Sequence, residues 1–106
     1  MKVRTSSAAR RDLRDIVDFI GRDNPMAARR LKSNLLKRLA SLSEHPARGR
    51  VVAEHDGIAL RRLIEGSFLI FYLVRQEDVL VTRVMRGSRA IDVELLRDPG
   101  WPEEPV

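Results

Sequence analysis

The sequence predicts an α+β fold of order β-α-α-β-β-β, an N-terminal helical hairpin packed on a small antiparallel-rich sheet. Three observations predict it. Two apolar stripes at helical spacing fill the first half, seven consecutive apolar or aromatic residues mark a central strand in the second half, and short polar turns flank that strand.

A short strand is expected at Lys2 to Thr5. Ala9, Leu13, Ile16, Val17 and Ile20 then place an apolar stripe on a helix spanning about 7 to 21, with Arg10, Arg11, Arg14 and Asp18 on the opposite face. The segment Gly21-Arg22-Asp23-Asn24-Pro25 ends this helix and starts another, because Asn24 can cap free amides and Pro25 suits a first helical position. A second stripe of Ala28, Leu31, Leu35, Leu39 and Leu42 predicts a helix over 25–44, stopped by His45-Pro46.

Pro46-Ala47-Arg48-Gly49-Arg50 reads as a connector, followed by brief pairing at Val51 to Ala53. Asp56-Gly57 is a turn signal before Leu60-Arg61-Arg62-Leu63-Ile64, and Glu65-Gly66 marks a tight hairpin. Phe68-Leu69-Ile70-Phe71-Tyr72-Leu73-Val74 has the continuous apolar character of a strand covered on both faces. After the polar turn Arg75-Gln76-Glu77-Asp78 comes Val79 to Met85, rich in β-branched residues, then Arg86-Gly87-Ser88-Arg89. Turns this short require antiparallel neighbours, and the helical stripes require a sheet face to cover them. Residues 1–98 are expected to form one domain, with 99–106 a Pro-rich tail.

A chain of 106 residues buries roughly 60 to 70% of the surface its unfolded form exposes, enough for one independent core. The 43% hydrophobic content argues against global disorder. No apolar run reaches the 18 or so residues of a membrane helix, and the opening Met1-Lys2-Val3-Arg4-Thr5 leads into an Arg/Asp-rich segment rather than an apolar signal core. Cysteine is absent, so disulfides and thiolate metal sites are excluded, and a cytoplasmic location is expected. The net charge of +5 and pI near 10.7 favour an anionic partner, either nucleic acid or an acidic protein. Seventeen of the twenty basic residues are Arg, leaving Lys2, Lys32 and Lys37. Guanidinium forks suit phosphate and carboxylate, yet codon usage in a GC-rich genome gives the same bias, so composition alone does not assign a role.

An ordered set of blocks resembles the RelE/ParE toxin superfamily, its ParE branch above all. In the first half these are Asp12-Leu13, Ile16, Phe19-Ile20, Asn24-Pro25, Ala27-Ala28, Leu39, Leu42, His45-Pro46 and Gly49-Arg50. In the second half they are Leu60-Arg61, Gly66 with Phe68, Ile70-Phe71-Tyr72 and Arg83-Val84-Met85-Arg86-Gly87-Ser88-Arg89. The resemblance covers roughly residues 3 to 92. It implies the toxin of a type II toxin-antitoxin pair, with a ribonuclease-like α+β fold, neutralised by a cognate ParD-like antitoxin. For the ParE branch it implies inhibition of DNA gyrase, with plasmid stabilisation as the associated role. Two alternatives stay open: a RelE-like, ribosome-dependent mRNA endoribonuclease, and a non-toxic relative that only binds antitoxin.

The resemblance assigns no firm catalytic residue; for a ribonuclease it implies Arg61, Arg83 and Arg86, with Arg61 and Arg83 sharing a face if their strands are neighbours. Arg86 stands where many relatives carry His, and an arginine stays protonated, so it is a poor proton shuttle. The two histidines, His45 and His55, fall at a helix end and in an expected loop, while Tyr72 belongs to the apolar run and reads as core. No phosphate-binding glycine loop, metal-ligand cluster or Ser-His-Asp pattern is recognisable, and no cofactor is expected. A non-enzymatic inhibitor fits this set better. Partner contacts are expected from Arg10, Arg14, Arg61, Arg83, Arg86, Arg89 and Trp101, with direct nucleic-acid binding open and an amphipathic antitoxin helix lying on the helical hairpin or sheet edge.

Overall fold

A computed structural model describes residues 1–87. The elements are β1 (Lys2–Thr5), α1 (Ser7–Asp23), α2 (Pro25–Ser41), β2 (Arg50–His55), β3 (Ile58–Glu65), β4 (Phe68–Val74) and β5 (Asp78–Arg86). They form a five-stranded sheet of order β1-β5-β4-β3-β2. Strands β2 to β5 are antiparallel neighbours, whereas β1 returns to the far edge and pairs with β5 in parallel. The expected α+β architecture is present, and the segment foreseen as brief pairing at Val51 to Ala53 is a full six-residue edge strand, β2.

Capping explains the helix boundaries. Ser6, fully buried, caps α1: its Oγ accepts from the Ala9 amide at 3.0 Å and its hydroxyl donates to the Thr82 carbonyl at 2.9 Å. Helix α1 runs two residues past the expected end at 21, because Asn24 serves both helices. Its amide donates to the Ile20 carbonyl, while its side chain accepts from Ala27 and starts α2. Helix α2 stops at Ser41, earlier than the expected 44. The Leu42 amide turns back to the Leu39 carbonyl at 3.1 Å, tightening the last turn, yet Leu42 stays fully buried.

Strand β4 occupies the centre of both cores. On the helix side, Phe68, Ile70 and Tyr72 pack with Ala9, Leu35, Leu39, Leu42, Leu63, Val79, Val81 and Val84. On the other face, Leu69, Phe71 and Leu73 cluster with Leu60 and Leu80. Ile70 and Tyr72 are both 0% exposed, as a central strand requires. Burying each such side chain contributes about 1.5–3 kcal/mol, so β4 anchors the fold. The β2–β3 hairpin turns at Asp56-Gly57 with φ of 52° and 79°, the two positive values that a right-twisted two-residue hairpin needs.

Candidate functional site

The arginines singled out by the sequence fall into two groups that differ in what surrounds them. Arg61 lies on β3 opposite Tyr72 of β4. Its Nη1 donates to the carbonyls of Gly49 at 2.7 Å and Ala47 at 3.3 Å. The Tyr72 hydroxyl adds two bonds to the same connector, donating to the Pro46 carbonyl at 2.8 Å and accepting from the Gly49 amide at 2.7 Å. Burial pushes the Tyr72 phenol above its ordinary pKa, with the Gly49 amide and the nearby Arg61 and Arg48 charges opposing that rise. Gly49 is a required glycine, since a Cβ there would lie 2.7 Å from the Tyr72 hydroxyl and 2.8 Å from the Arg62 carbonyl.

Arg83 is also anchored. A bulge in β5 opposite Phe71/Tyr72 leaves Thr82 without a cross-strand partner, and its hydroxyl turns to the Phe71 carbonyl at 3.2 Å. Pairing with β1 ends at Val81, just before the bulge. Asp12 of α1 closes the edge beyond it, accepting from the Val84 amide at 2.9 Å and from Arg83 Nε and Nη2 at 2.7 and 3.1 Å. The Arg83 carboxylate partner is therefore on the first helix, in the Asp12-Leu13 block.

Arg61 and Arg83 are not on neighbouring strands, because β4 runs between them. The shared basic face conceived for Arg61, Arg83 and Arg86 is replaced by separate placements. Arg86 lies at the far end of β5, where with Asp15, Ile16, Phe19, Ile20 and Phe68 it lines a cavity of about 290 Å³. A different row does cross the sheet: Arg50 opposite Arg62, Arg62 opposite Phe71, and Phe71 opposite Arg83. Arg62 Nε is buried there without a hydrogen-bond partner among the described residues.

The second basic region is the helical hairpin. Arg10, Arg14, Asp18 and Lys32 rim a groove of about 260 Å³ between α1 and α2, floored by Leu13, Val17 and Leu36. Leu36 is 47% exposed, a large apolar side chain turned outward. Arg10 holds the Thr5 carbonyl through Nη1 at 2.6 Å, which ties the groove rim to the end of β1. Sequence reasoning reached Arg10 and Arg14 but not Leu36 or Lys32. The readable signal was Leu36 itself, an apolar residue beside the stripe position Leu35 and therefore pointing away from the core.

Tyr72 is core, as expected. His45 is exposed in the turn after α2, and His55 ends β2 with Nε2 3.4 Å from Asp56. Arg89, Trp101 and the tail 99–106 lie outside the described residues. Among the described residues no group of three His, Asp or Glu side chains is placed to hold a metal, and no helix is long and apolar enough to cross a membrane.

A helical hairpin on a bulged, mixed five-stranded sheet is the α+β arrangement these elements form. The family model for the ParE toxin of the type II toxin-antitoxin system parDE matches residues 3–91, and the chain belongs to this family. It is 34% identical over 79 residues to Toxin RelE2 of Caulobacter vibrioides, covering 74% of this chain and 85% of that protein. In fold it is similar to a chain of the chromosomal ParDE toxin-antitoxin system from P. aeruginosa, with a TM-score of 0.68 and 19% identity over 83% of this chain and 97% of that one. It is also similar to a chain of the toxin-antitoxin complex RelBE2 from Mycobacterium tuberculosis, with a TM-score of 0.56 and 23% identity over 80% and 95%.

Proposed function

We propose that this toxin acts on DNA gyrase, holding the cleaved DNA–enzyme complex, and that a cognate ParD-like antitoxin neutralises it by laying an amphipathic helix in the α1–α2 groove. One observation carries the reading. Arg61 and Arg83, the arginines a ribonuclease would aim at its substrate, are each bound to acceptors within the fold and kept apart by β4. Arg86 supplies no proton shuttle, and the Tyr72 hydroxyl is buried and bonded on both sides. A general acid or base is typically worth about 10² to 10⁴ in rate, so RNA cleavage without one is weak. The groove supports the antitoxin half of the proposal: apolar residues floor it and the cations Arg10, Arg14 and Lys32 outnumber Asp18 on its rim, which suits a helix with apolar anchors and mainly acidic flanks.

A second reading, a ribosome-dependent mRNA endoribonuclease, is favoured by the row Arg50, Arg62 and Arg83, which gives one stretch of sheet a concentration of phosphate-binding groups. Expression without the antitoxin distinguishes the two. The gyrase reading predicts DNA damage and filamentous cells while bulk mRNA stays intact. Rapid, codon-specific loss of message with undamaged DNA would overturn it. Leu36→Glu should escape neutralisation while keeping toxicity, because it places a charge on the groove floor; full neutralisation of that variant would remove the groove from the antitoxin contact.

A further inference from the structure

Helix α2 has a charge distribution that neither the core nor the groove accounts for. It contains Arg29, Arg30, Lys32, Lys37 and Arg38 and no acidic residue. Arg38 is paired, its Nε 3.2 Å from Glu65 Oε1. The other four are exposed, and none forms an ion pair or hydrogen bond with a described residue. Helix α1 differs, with Asp12, Asp15, Asp18 and Asp23 interleaved among its arginines.

The four cations divide by direction. Lys32 faces α1 and rims the groove. Arg30, Ser33 and Lys37 succeed one another at steps of three and four residues and form a stripe opposite the buried Leu35 and Leu39, with Arg29 beside it. This stripe carries one exposed apolar side chain, Met26 at its N-terminal end, whereas the groove is floored by three. A protein partner draws its affinity from a desolvated apolar or aromatic centre, which a lone methionine at one end of the stripe does not provide. A phosphodiester backbone requires only closely spaced cations on a rigid support. Arg30 to Lys37 spans about 10 Å of helix axis, and each strand of duplex DNA carries one phosphate per roughly 3.4 Å of axis, so the stripe meets about three phosphates of one strand.

We infer that the outward stripe of α2, Arg29, Arg30 and Lys37, is a backbone-binding surface for duplex DNA, separate from the antitoxin groove. This rests on the gyrase reading above, in which the toxin works beside DNA held by the enzyme. The contact is independent of base sequence, since it reaches phosphates only. It adds affinity for the DNA–gyrase complex over gyrase alone.

The test uses the purified full-length toxin and a fluorescent 30-base-pair duplex, titrated by anisotropy across a salt series. Two variants of equal charge are compared: Arg29→Gln/Arg30→Gln/Lys37→Gln on α2, and Lys2→Gln/Arg11→Gln/Arg22→Gln elsewhere on the exposed surface. The α2 variant should lose about tenfold or more in affinity and flatten the plot of log K against log salt by about 2.7, the share of three phosphate contacts. The control variant should lose less than about threefold, reflecting net charge alone. Equal losses in the two variants, no loss in the α2 variant, or tighter parental binding to an RNA duplex of the same length would each overturn the inference. Thermal unfolding of both variants, expected within a degree or two of the parent, separates binding from folding. Gyrase is absent from this assay, so its result stands apart from the gyrase reading: cleaved-DNA accumulation by the parent toxin tests that reading on its own.

Discussion

Arg61 and Arg83 of the sheet and Arg29 and Arg30 of the second helix are chemically the same and structurally opposite. Arg61, Arg75 and Arg83 each hold a defined acceptor: the connector carbonyls, Asp78, and Asp12. On α2, Arg29, Arg30 and Lys37 are exposed on a helix that has no acidic residue of its own, and Lys32 faces the groove. The difference teaches that an Arg-rich composition is not one signal. Arg61 and Arg83 close gaps that a connector and a bulge leave in the hydrogen-bond network, whereas Arg29 and Arg30 on the hairpin remain available to a partner.

The comparison breaks most sharply at Tyr72. Tyr72→Ala should cost about 3–5 kcal/mol, from the cavity together with an orphaned Gly49 amide, measured by denaturant unfolding. Tyr72→Phe keeps the ring and should cost about 1–3 kcal/mol for the unsatisfied amide. If the Phe variant matched the parent, the connector latch would contribute nothing. Deprotonation of the phenol disrupts the same latch. Because the folded-state pKa is raised, this stability is fully present below the unfolded value and is lost as pH rises through the folded value.

Asp12→Ala comes next, at about 1–3 kcal/mol, since it removes the carboxylate that accepts from Arg83 and leaves the Val84 amide at the edge of β5 without its acceptor. The two side chains are 27% and 16% exposed, so water recovers part of that loss. Hydrogen exchange at Val84 should accelerate in this variant; unchanged protection would show that the edge needs no closure.

Asp78 gives a smaller effect with a definite sign. A hydrogen bond from Arg75, helped by the charges of Arg75 and Arg4, holds its carboxyl below the usual carboxylate range against the opposing effect of burial. A lowered folded-state pKa gives stability that is present above the unfolded value and lost as pH falls through the folded one. The parent should lose stability on acidification, and Asp78→Asn should flatten that dependence in thermal melts at successive pH values. A parallel acid response in both would assign the effect to other carboxylates. The smallest effect belongs to the hairpin: Leu36→Gln, exposed on the groove floor, should change stability by no more than about 0.5 kcal/mol.

The layers of the fold were legible in the sequence because they follow from periodicity. The leucine stripes and the run Phe68 to Val74 each permitted one burial solution, and Asn24-Pro25 marked its helix junction to the residue. Helix ends were less legible. Leu42 continues the stripe yet sits in a turn, and stripe membership reports burial rather than backbone hydrogen bonding. The candidate site was legible only as residue types. Whether Arg83 reaches out or pairs inward depends on Asp12, 71 positions earlier in the chain, and on a bulge at Thr82 that no local propensity announces. The interposition of β4 between Arg61 and Arg83 follows from strand order, which pattern alone does not specify.

The most direct test of the account is a paired biochemical assay of the parent and Arg83→Gln, at a temperature where both are folded. Each is incubated with gyrase and supercoiled DNA, and separately with translating ribosomes. The account predicts that the parent accumulates cleaved DNA and leaves message intact, and that folded Arg83→Gln retains this activity because Arg83 supports the sheet edge. Codon-specific mRNA cleavage by the parent, abolished in folded Arg83→Gln, would contradict it.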